Sequence, residues 1–300
     1  MIGLILAISS GHSQAACLDR HIKLQVLGSG GPELDDGRTS SSYLIWVDGN
    51  ARVLVDAGGG SSANFEKSGA SLDDLQAVLF THFHVDHSGD FAAYIKASFF
   101  GSRTEDLPVF GPQGNDRMPS TDDFLATLLG KDGAYRYLSS YIETDQASDF
   151  HLIPHSVALN SKEARTFAVN NSLSVSAIPV HHGPIAAVAW RVDIDQCSIS
   201  FSGDMNNQTG NLNRLAKGSQ LLVAHNAIPQ DSAGVARQLH MPPSEIGKIA
   251  GQAEVKKLLI SHRMNRTLGK EQAVQTLAEI RKSYQGPVMF ANDLDTFDIQ

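Results

Sequence analysis

Thr81-His82-Phe83-His84-Val85-Asp86-His87 places four metal-competent side chains within six residues. Imidazole and carboxylate are the donors that zinc, iron and manganese take from proteins. The spacing divides them. His82 and His84 are two apart, and in an extended or loop backbone such neighbours face the same way. Asp86 and His87 come after a turn and can face a second point nearby. Ligands divided in this way imply two adjacent metals, and two metals need more donors than this stretch supplies.

The missing donors are sought as single His or Asp residues at the ends of strands, where sites open in layered α/β folds. Three stand out. His182 ends an apolar strand in Pro179-Val180-His181-His182-Gly183-Pro184, with His181 as its competitor. Asp204 follows a strand in Phe201-Ser202-Gly203-Asp204, and His262 follows another in Leu258-Leu259-Ile260-Ser261-His262. His12, His21, His151 and His155 have no such setting and read as ordinary surface or core histidines. Asp56, before three glycines, is a candidate for fixing a histidine tautomer from behind, or simply for forming the turn.

The elements around these residues read as follows. Ile22 to Leu27 is a strand entering the turn Gly28-Ser29-Gly30-Gly31-Pro32, which lacks the helix a dinucleotide-binding loop needs. Ser42 to Val47 and Arg52 to Val55 form a hairpin across Asp48-Gly49-Asn50. Ala77 to Phe80 is the buried strand that delivers the His-rich loop. Ala63 to Ser68 and Leu72 to Leu75 are short helices, and Phe91 to Phe100 is a packed one. Residues 113–145 look mostly helical, with Tyr135, Tyr137 and Tyr141 read first as core and second as a mobile lid. Strands follow at Leu152–Leu159, Arg165–Val169, Leu173–Val180, Ala187–Ile194 and Ser198–Phe201. Asn206 to Ala216 is helix-like. The rest alternates: strands at Leu221–Ala224, Leu258–Ile260 and Val288–Phe290, helices at Ser244–Ala253 and Lys270–Lys282. There is no repeat and no linker, which predicts one domain of sheet and helix layers.

The chain has 300 residues, 42% of them apolar and 19% charged, and a net charge of −8. It is long enough for a core without staples, and its charge argues against a dedicated nucleic-acid binder. No apolar run is long enough to span a bilayer. The apolar Met1 to Ile8 and small polar Ser9 to Ala16 read as a signal peptide over residues 1–16, so a periplasmic or secreted protein is expected. No Leu stands three residues before Cys17, against a lipoprotein anchor. Cys17 and Cys197 are the two cysteines. In an oxidising compartment they could pair, or they could be two unrelated small residues.

The order of these motifs resembles the metallo-β-lactamase fold hydrolases from about Ile22 to the C-terminus. That resemblance implies an α/β, four-layer αββα sandwich as a single domain, here residues 17–300. It implies His82, His84 and His182 on one metal, Asp86, His87 and His262 on the other, and Asp204 bridging both. His182 is preferred to His181 because the similar branch places its ligand directly before such a turn. The metals would be two divalent ions, zinc first, with manganese or iron as alternatives. Asp86 would also orient the attacking hydroxide.

Asp204 sets the chain apart from true β-lactamases, which generally lack a bridging Asp. The stretch Gln238-Leu239-His240-Met241-Pro242, with Gly28 to Gly31, Ser40 to Ser42 and Val109 to Pro112, is similar to the RNase Z and arylsulfatase branch. There a His, here His240, donates a proton or stabilises charge on the transferring group. One departure is Asn226, in Ala224-His225-Asn226-Ala227, where RNase Z has a Glu supporting that His. A basic glycine-rich arm for gripping transfer RNA is also missing.

The expectation is therefore an exported binuclear hydrolase of phosphodiester or sulfate esters. Its substrates are expected to be small molecules, with no nucleic acid and no membrane as partners. The alternatives are a lactonase, which would not need His240, an RNase Z-type endonuclease, and an inactive metal-binding protein. Homodimers are common in the resembling family, though nothing in the residues derives one.

Overall fold

A computed structural model describes Cys17 and residues 20–299. The signal-peptide reading of residues 1–16 lies outside the described residues. The first half builds β1 (Ile22–Gly28), β2 (Ser42–Val47), β3 (Asn50–Val55), β4 (Ala77–Leu79), β5 (Leu107–Pro112) and β6 (Leu152–Val157). The second half builds β7 (Arg165–Ala168), β8 (Leu173–His182), β9 (Ile185–Ile194), β10 (Cys197–Phe201), β11 (Leu221–His225), β12 (Lys257–Ser261) and β13 (Val288–Phe290). A last strand, β14 (Thr296–Ile299), returns to pair antiparallel with β1. Each sheet has seven strands, in the orders β14-β1-β2-β3-β4-β5-β6 and β13-β12-β11-β10-β9-β8-β7.

Side-chain alternation divides the core. Val26, Tyr43, Ile45 and Val55 face Trp190, Phe201 and Val223 across the space between the sheets. Their strand neighbours Leu27, Leu44 and Leu54 point the other way. There they pack on α1 (Ser61–Ser68), α3 (Phe91–Ser98) and α4 (Thr121–Leu129), with the short α2 (Val85–Ser88) between α1 and α3 in the chain. On the far side the second sheet packs on α5 (Asn211–Leu215), α7 (Pro243–Gln252) and α8 (Lys270–Arg281), with α6 (Gly234–Leu239) beside β8. The result is the four-layer αββα sandwich. Burial of each Val, Leu or Phe in these layers contributes about 1.5–3 kcal/mol.

The two sheets are tied where the site lies. The fully buried Trp190 donates its indole N–H to Phe80 O at 2.8 Å, and Val188 N–H donates to Thr81 O at 2.9 Å. Both bonds hold the start of the His-rich loop from the opposite sheet. The strands β3-β4-β5-β6 are mutually parallel, as are β10-β11-β12-β13, so their C-terminal ends open at one edge.

Several expectations change. β8 runs on through His181 and His182, because its antiparallel pairing with β9 continues to His182 opposite Ile185. Only Asn211–Leu215 of the helix-like stretch after Asp204 is helical, since Asn206 turns back to bond His181. Residues 113–145 contain α4 and one 3₁₀ segment, Arg136–Tyr141, with irregular chain between. The tyrosines part company: Tyr141 is buried, while Tyr135 and Tyr137 are exposed. α6 and β14 are additions that short, weakly patterned sequence did not signal. Among the described residues, no helix is long and apolar enough to cross a membrane.

Candidate metal centre

The edge where the parallel strands end carries all the sequence-predicted site residues. Asp56 follows β3, the His-rich loop follows β4, His182 ends β8, Asp204 lies beyond β10 and His262 beyond β12. Two of these backbones are left-handed without being glycine, Asp56 at φ 56° and His262 at φ 49°. Such conformations are held only where surrounding contacts enforce them, commonly at sites. Gly58 is needed for close approach, since a Cβ there would sit 2.2 Å from Asp86 O.

Asp56 organises the loop. Its Oδ1 accepts from Thr81 N–H at 2.7 Å, and its Oδ2 accepts from Thr81 Oγ1 at 2.8 Å and from His87 Nδ1 at 2.8 Å. Thr81 Oγ1 also meets His82 Nδ1 at 3.1 Å. His182 Nδ1 lies 2.9 Å from Leu239 O and donates to it. In each of these histidines one ring nitrogen is engaged from behind. The opposite nitrogens, Nε2 of His82, His87 and His182, are buried with no hydrogen-bond partner. A buried polar atom without a partner is costly, and metal coordination would satisfy it.

Two clusters of donors emerge. The ligand atoms of His82, His84 and His182 lie within 4.8 Å of one another. In the second, His262 Nε2 is 3.2 Å from Asp86 Oδ2, and His87 Nε2 is 3.6 Å from the same oxygen. Asp204 Oδ2 is 3.8 Å from His182 Nε2 and 3.8 Å from His87 Nε2, one nitrogen from each cluster. The donor set, its bare nitrogens and its mixed His/Asp chemistry fit two divalent metals.

Electrostatics agrees with this at His82, His84, His182 and Asp204 and runs the other way at His87. Burial and neighbouring imidazoles hold His82 well below the usual histidine range, and burial lowers His84 and His182 too. Neutral imidazole is the form that binds metal. Burial opposes the ionised Asp204, but His262 and His240 outweigh it and keep the carboxyl well below its usual range. Burial likewise opposes a charged His87, yet Asp86 and Asp56 raise it to about 10.

His181 and His182 are separated by strand alternation. His182 faces the centre, whereas His181 turns away to accept from Asn206 Nδ2 at 3.0 Å. His240, after α6, stands over the centre with Nδ1 3.7 Å from Asp204 Oδ2. Burial lowers its pKa to about 4. Asn226 does not reach it. The Asn226 amide donates to Ile228 O at 2.9 Å and accepts from Thr276 Oγ1 at 3.4 Å, so it shapes the turn after β11.

Two residues without a sequence-assigned role join the site. His225 lies near enough to His87, Asp204 and His262 to resemble a ligand. Both its nitrogens are engaged, however. Nδ1 donates to Asp204 Oδ1 at 2.8 Å, and Nε2 lies 3.0 Å from the Tyr43 hydroxyl, which also meets Ser261 Oγ at 2.8 Å. His225 therefore holds Asp204 and leaves neither ring nitrogen bare. The signal was there: it ends β11 just as His182 ends β8. The other is Arg266, which lines the cavity of about 150 Å³ over the centre together with Pro32, Leu239 and Met264. Its Nε donates to Ala227 O at 2.6 Å, which sets the guanidinium in place.

Residues 35–245 match the metallo-beta-lactamase superfamily, and the chain belongs to it. It is therefore a hydrolase of the metallo-β-lactamase fold. Among curated relatives, Ribonuclease Z of Mycolicibacterium paratuberculosis is 28% identical over 288 residues, covering 91% of this chain and 96% of that one. Among solved structures, the fold protein YhfI of Bacillus subtilis has a TM-score of 0.70 at 19% identity, covering 93% of this chain and 99% of that one. Human tRNase Z, short form, has a TM-score of 0.68 at 17% identity, with coverages of 93% and 99%. At such identities the structures establish the fold alone.

The relatives correct one expectation. Nucleic acid was excluded as a partner, yet Ribonuclease Z matches nearly the whole chain. Net charge misled because it sums over the surface, whereas a polyanion responds to the local field of one face.

Proposed function

We propose that this protein is a binuclear, metal-dependent phosphodiesterase that cleaves RNA, with zinc as the first choice of metal and manganese or iron as alternatives. The observation that carries the reading is Asp204 Oδ2 lying 3.8 Å from one imidazole nitrogen of each donor cluster. The Ribonuclease Z relatives support RNA as the substrate class. We assign His82, His84 and His182 to one metal, Asp86, His87 and His262 to the other, and Asp204 to both. When bound, such a metal pair lowers the pKa of a water to make a nucleophile and offsets charge on phosphate oxygens.

The chain's own residues complete the site. Asp86, at the cavity wall, accepts a hydrogen bond from the attacking water and orients it. His240, in the same cavity lining, presents a ring N–H to the departing oxygen. Arg266 offers its remaining guanidinium donors to a non-bridging phosphate oxygen. Leu239 O keeps His182 in the tautomer whose Nε2 faces the metal.

Export is part of the proposal. Cys17 and Cys197 form a disulfide with Cα atoms 5.5 Å apart. Disulfides persist in oxidising compartments, which supports a periplasmic or secreted protein and the reading of residues 1–16 as its signal.

The test is a substrate panel. Purified protein is loaded with metal and given RNA oligonucleotides, bis(p-nitrophenyl) phosphate, p-nitrophenyl sulfate and a homoserine lactone. RNA and phosphodiester turnover with two metals per chain is expected. Turnover of the sulfate or lactone alone would overturn the reading.

A further inference from the structure

The clefts around the described surface differ in sign. The cleft reached past Arg266 is walled in part by Asp231 and Glu279, and the one between α1 and α3 by Glu66 and Asp73. A third cleft, of about 570 Å³, has Lys162, His181 and Arg214 in its lining and no carboxylate. That is unexpected in a chain with 32 acidic and 24 basic residues. Glu163, though adjacent to Lys162 in sequence, is not part of the lining.

This cleft is built against the metal centre. Its floor is the end of β8, where His181 lines the cleft and the next residue, His182, faces the centre from the other side of the strand. Its wall is the chain that follows Asp204. Asn206 N–H donates to His181 O at 3.0 Å, and Asn211 Nδ2 donates to Pro179 O at 2.7 Å, which pins that wall to the strand. Arg214 Nη2 donates to Asn211 Oδ1 at 2.9 Å and to Lys162 O. The guanidinium is thus held in place, while its Nε and Nη1 have no protein partner among the described residues.

We propose that this cleft grips the sugar–phosphate backbone of the RNA strand leading away from the scissile phosphate, through the Lys162 ammonium and the Arg214 guanidinium. The inference rests on the RNA-cleaving reading above. A strand whose phosphate sits at the metals must continue past them, and this cleft lies one residue along β8 from His182 with no carboxylate in its lining, unlike the clefts walled in part by Asp231 and Glu279 or by Glu66 and Asp73. Thr209, also in the lining, adds a hydroxyl donor to a backbone without reading its bases. The cleft supplies locally the positive charge that the overall balance of −8 hides.

The experiment uses the metal-loaded full chain and its Lys162→Glu, Arg214→Glu and double variants, with Lys162→Gln and Arg214→Gln as milder forms. Binding of a cleavage-resistant phosphorothioate RNA oligonucleotide is followed by fluorescence anisotropy across a salt series. Turnover of RNA and of bis(p-nitrophenyl) phosphate is measured alongside. The double Glu variant should bind at least tenfold more weakly at low salt. Its log–log salt slope should be shallower by about 1.4, two phosphate contacts at about 0.7 each for a single strand. Turnover of the small diester should not change. Wild-type RNA cleavage with unaltered affinity and slope in the variants would overturn the cleft and keep the function. Cleft-dependent binding without RNA cleavage would keep the cleft and overturn the function. A wild type that neither binds nor cleaves RNA would remove both.

Discussion

Two buried His–Asp pairs stand on opposite sides of the centre, and they are chemical opposites. On the first sheet Asp56 holds His87, with Oδ2 2.8 Å from Nδ1. On the second sheet His225 holds Asp204, again 2.8 Å from nitrogen to oxygen. In one pair the carboxylate supports and the imidazole turns its bare Nε2 to the other donors; in the other the roles are exchanged. The same hydrogen bond therefore positions either kind of donor, and residue type alone does not tell ligand from support. What tells them apart is the second contact of each group. Asp56 spends its remaining capacity on Thr81, and His225 spends its other nitrogen on Tyr43.

Replacing a residue that faces both clusters should have the largest effect. Asp204→Ala should reduce phosphodiester turnover to background and lower the metal content below two per chain, read by elemental analysis. Near-normal turnover would remove Asp204 from its bridging place.

The two supports should then differ in kind. Asp56→Ala strands Thr81 and His87 together in the interior, where breaking a buried ionic pair costs about 3–5 kcal/mol. It should lower the unfolding midpoint as well as activity. His225→Gln keeps a polar partner for Tyr43 and should leave the fold standing. It should weaken metal binding by about 10–100-fold, as loss of a ligand's support does. Equal loss of thermal stability in both would erase the distinction.

Acid should next expose the histidines of the centre in metal-free protein. Burial lowers both His225 and His240 to about 4, against an unfolded value of about 6.5. Between these limits the unfolded chain binds protons that the folded chain does not, so stability falls as pH falls. Each group contributes on the order of 3 kcal/mol over that window. Factors that raise His87 and His262 act above the window, because both groups are already protonated within it in either state. Chelator-treated protein should therefore lose denaturant resistance from about pH 6.5 towards pH 4. A flat profile would show that these histidines are hydrated.

The smallest effect on turnover per folded molecule should come from Asn226→Asp, which sets a buried carboxylate against Ile228 O and should lower the unfolding midpoint, if the side chain shapes a turn and does not support His240. RNA turnover should change by less than about threefold, well under the cost of losing a ligand's support. A large gain in turnover would reveal a carboxylate-like link to His240 that the contacts with Ile228 and Thr276 do not provide.

Much of the centre was legible before the fold was known. His82, His84, Asp86 and His87 announce themselves because few other tasks place four such donors together. Asp204 and His262 could be picked out because apolar runs mark strands, and single donors at strand ends recur at sites. The helix expected from Asn206 onward failed because a tertiary contact to His181 outweighed local propensity. β14 was missed because its pairing with β1 spans almost the entire chain, beyond any local pattern. The exclusion of nucleic acid failed because composition reports total charge and says nothing of its placement.

The sequence by itself determined which His and Asp donors stand at strand ends as candidates for a metal site, and the layered fold. These depend on residue type and on periods of two or 3.6, which are local properties. Tertiary structure decided the rest: that His182 and not His181 faces the centre, that Asp56 and His225 are supports, and that Cys17 meets Cys197. It also brought Lys162 and Arg214 to one cleft. Each of these depends on which strand ends become neighbours. That is set by packing two sheets face to face, so it appears only once the chain has closed on itself.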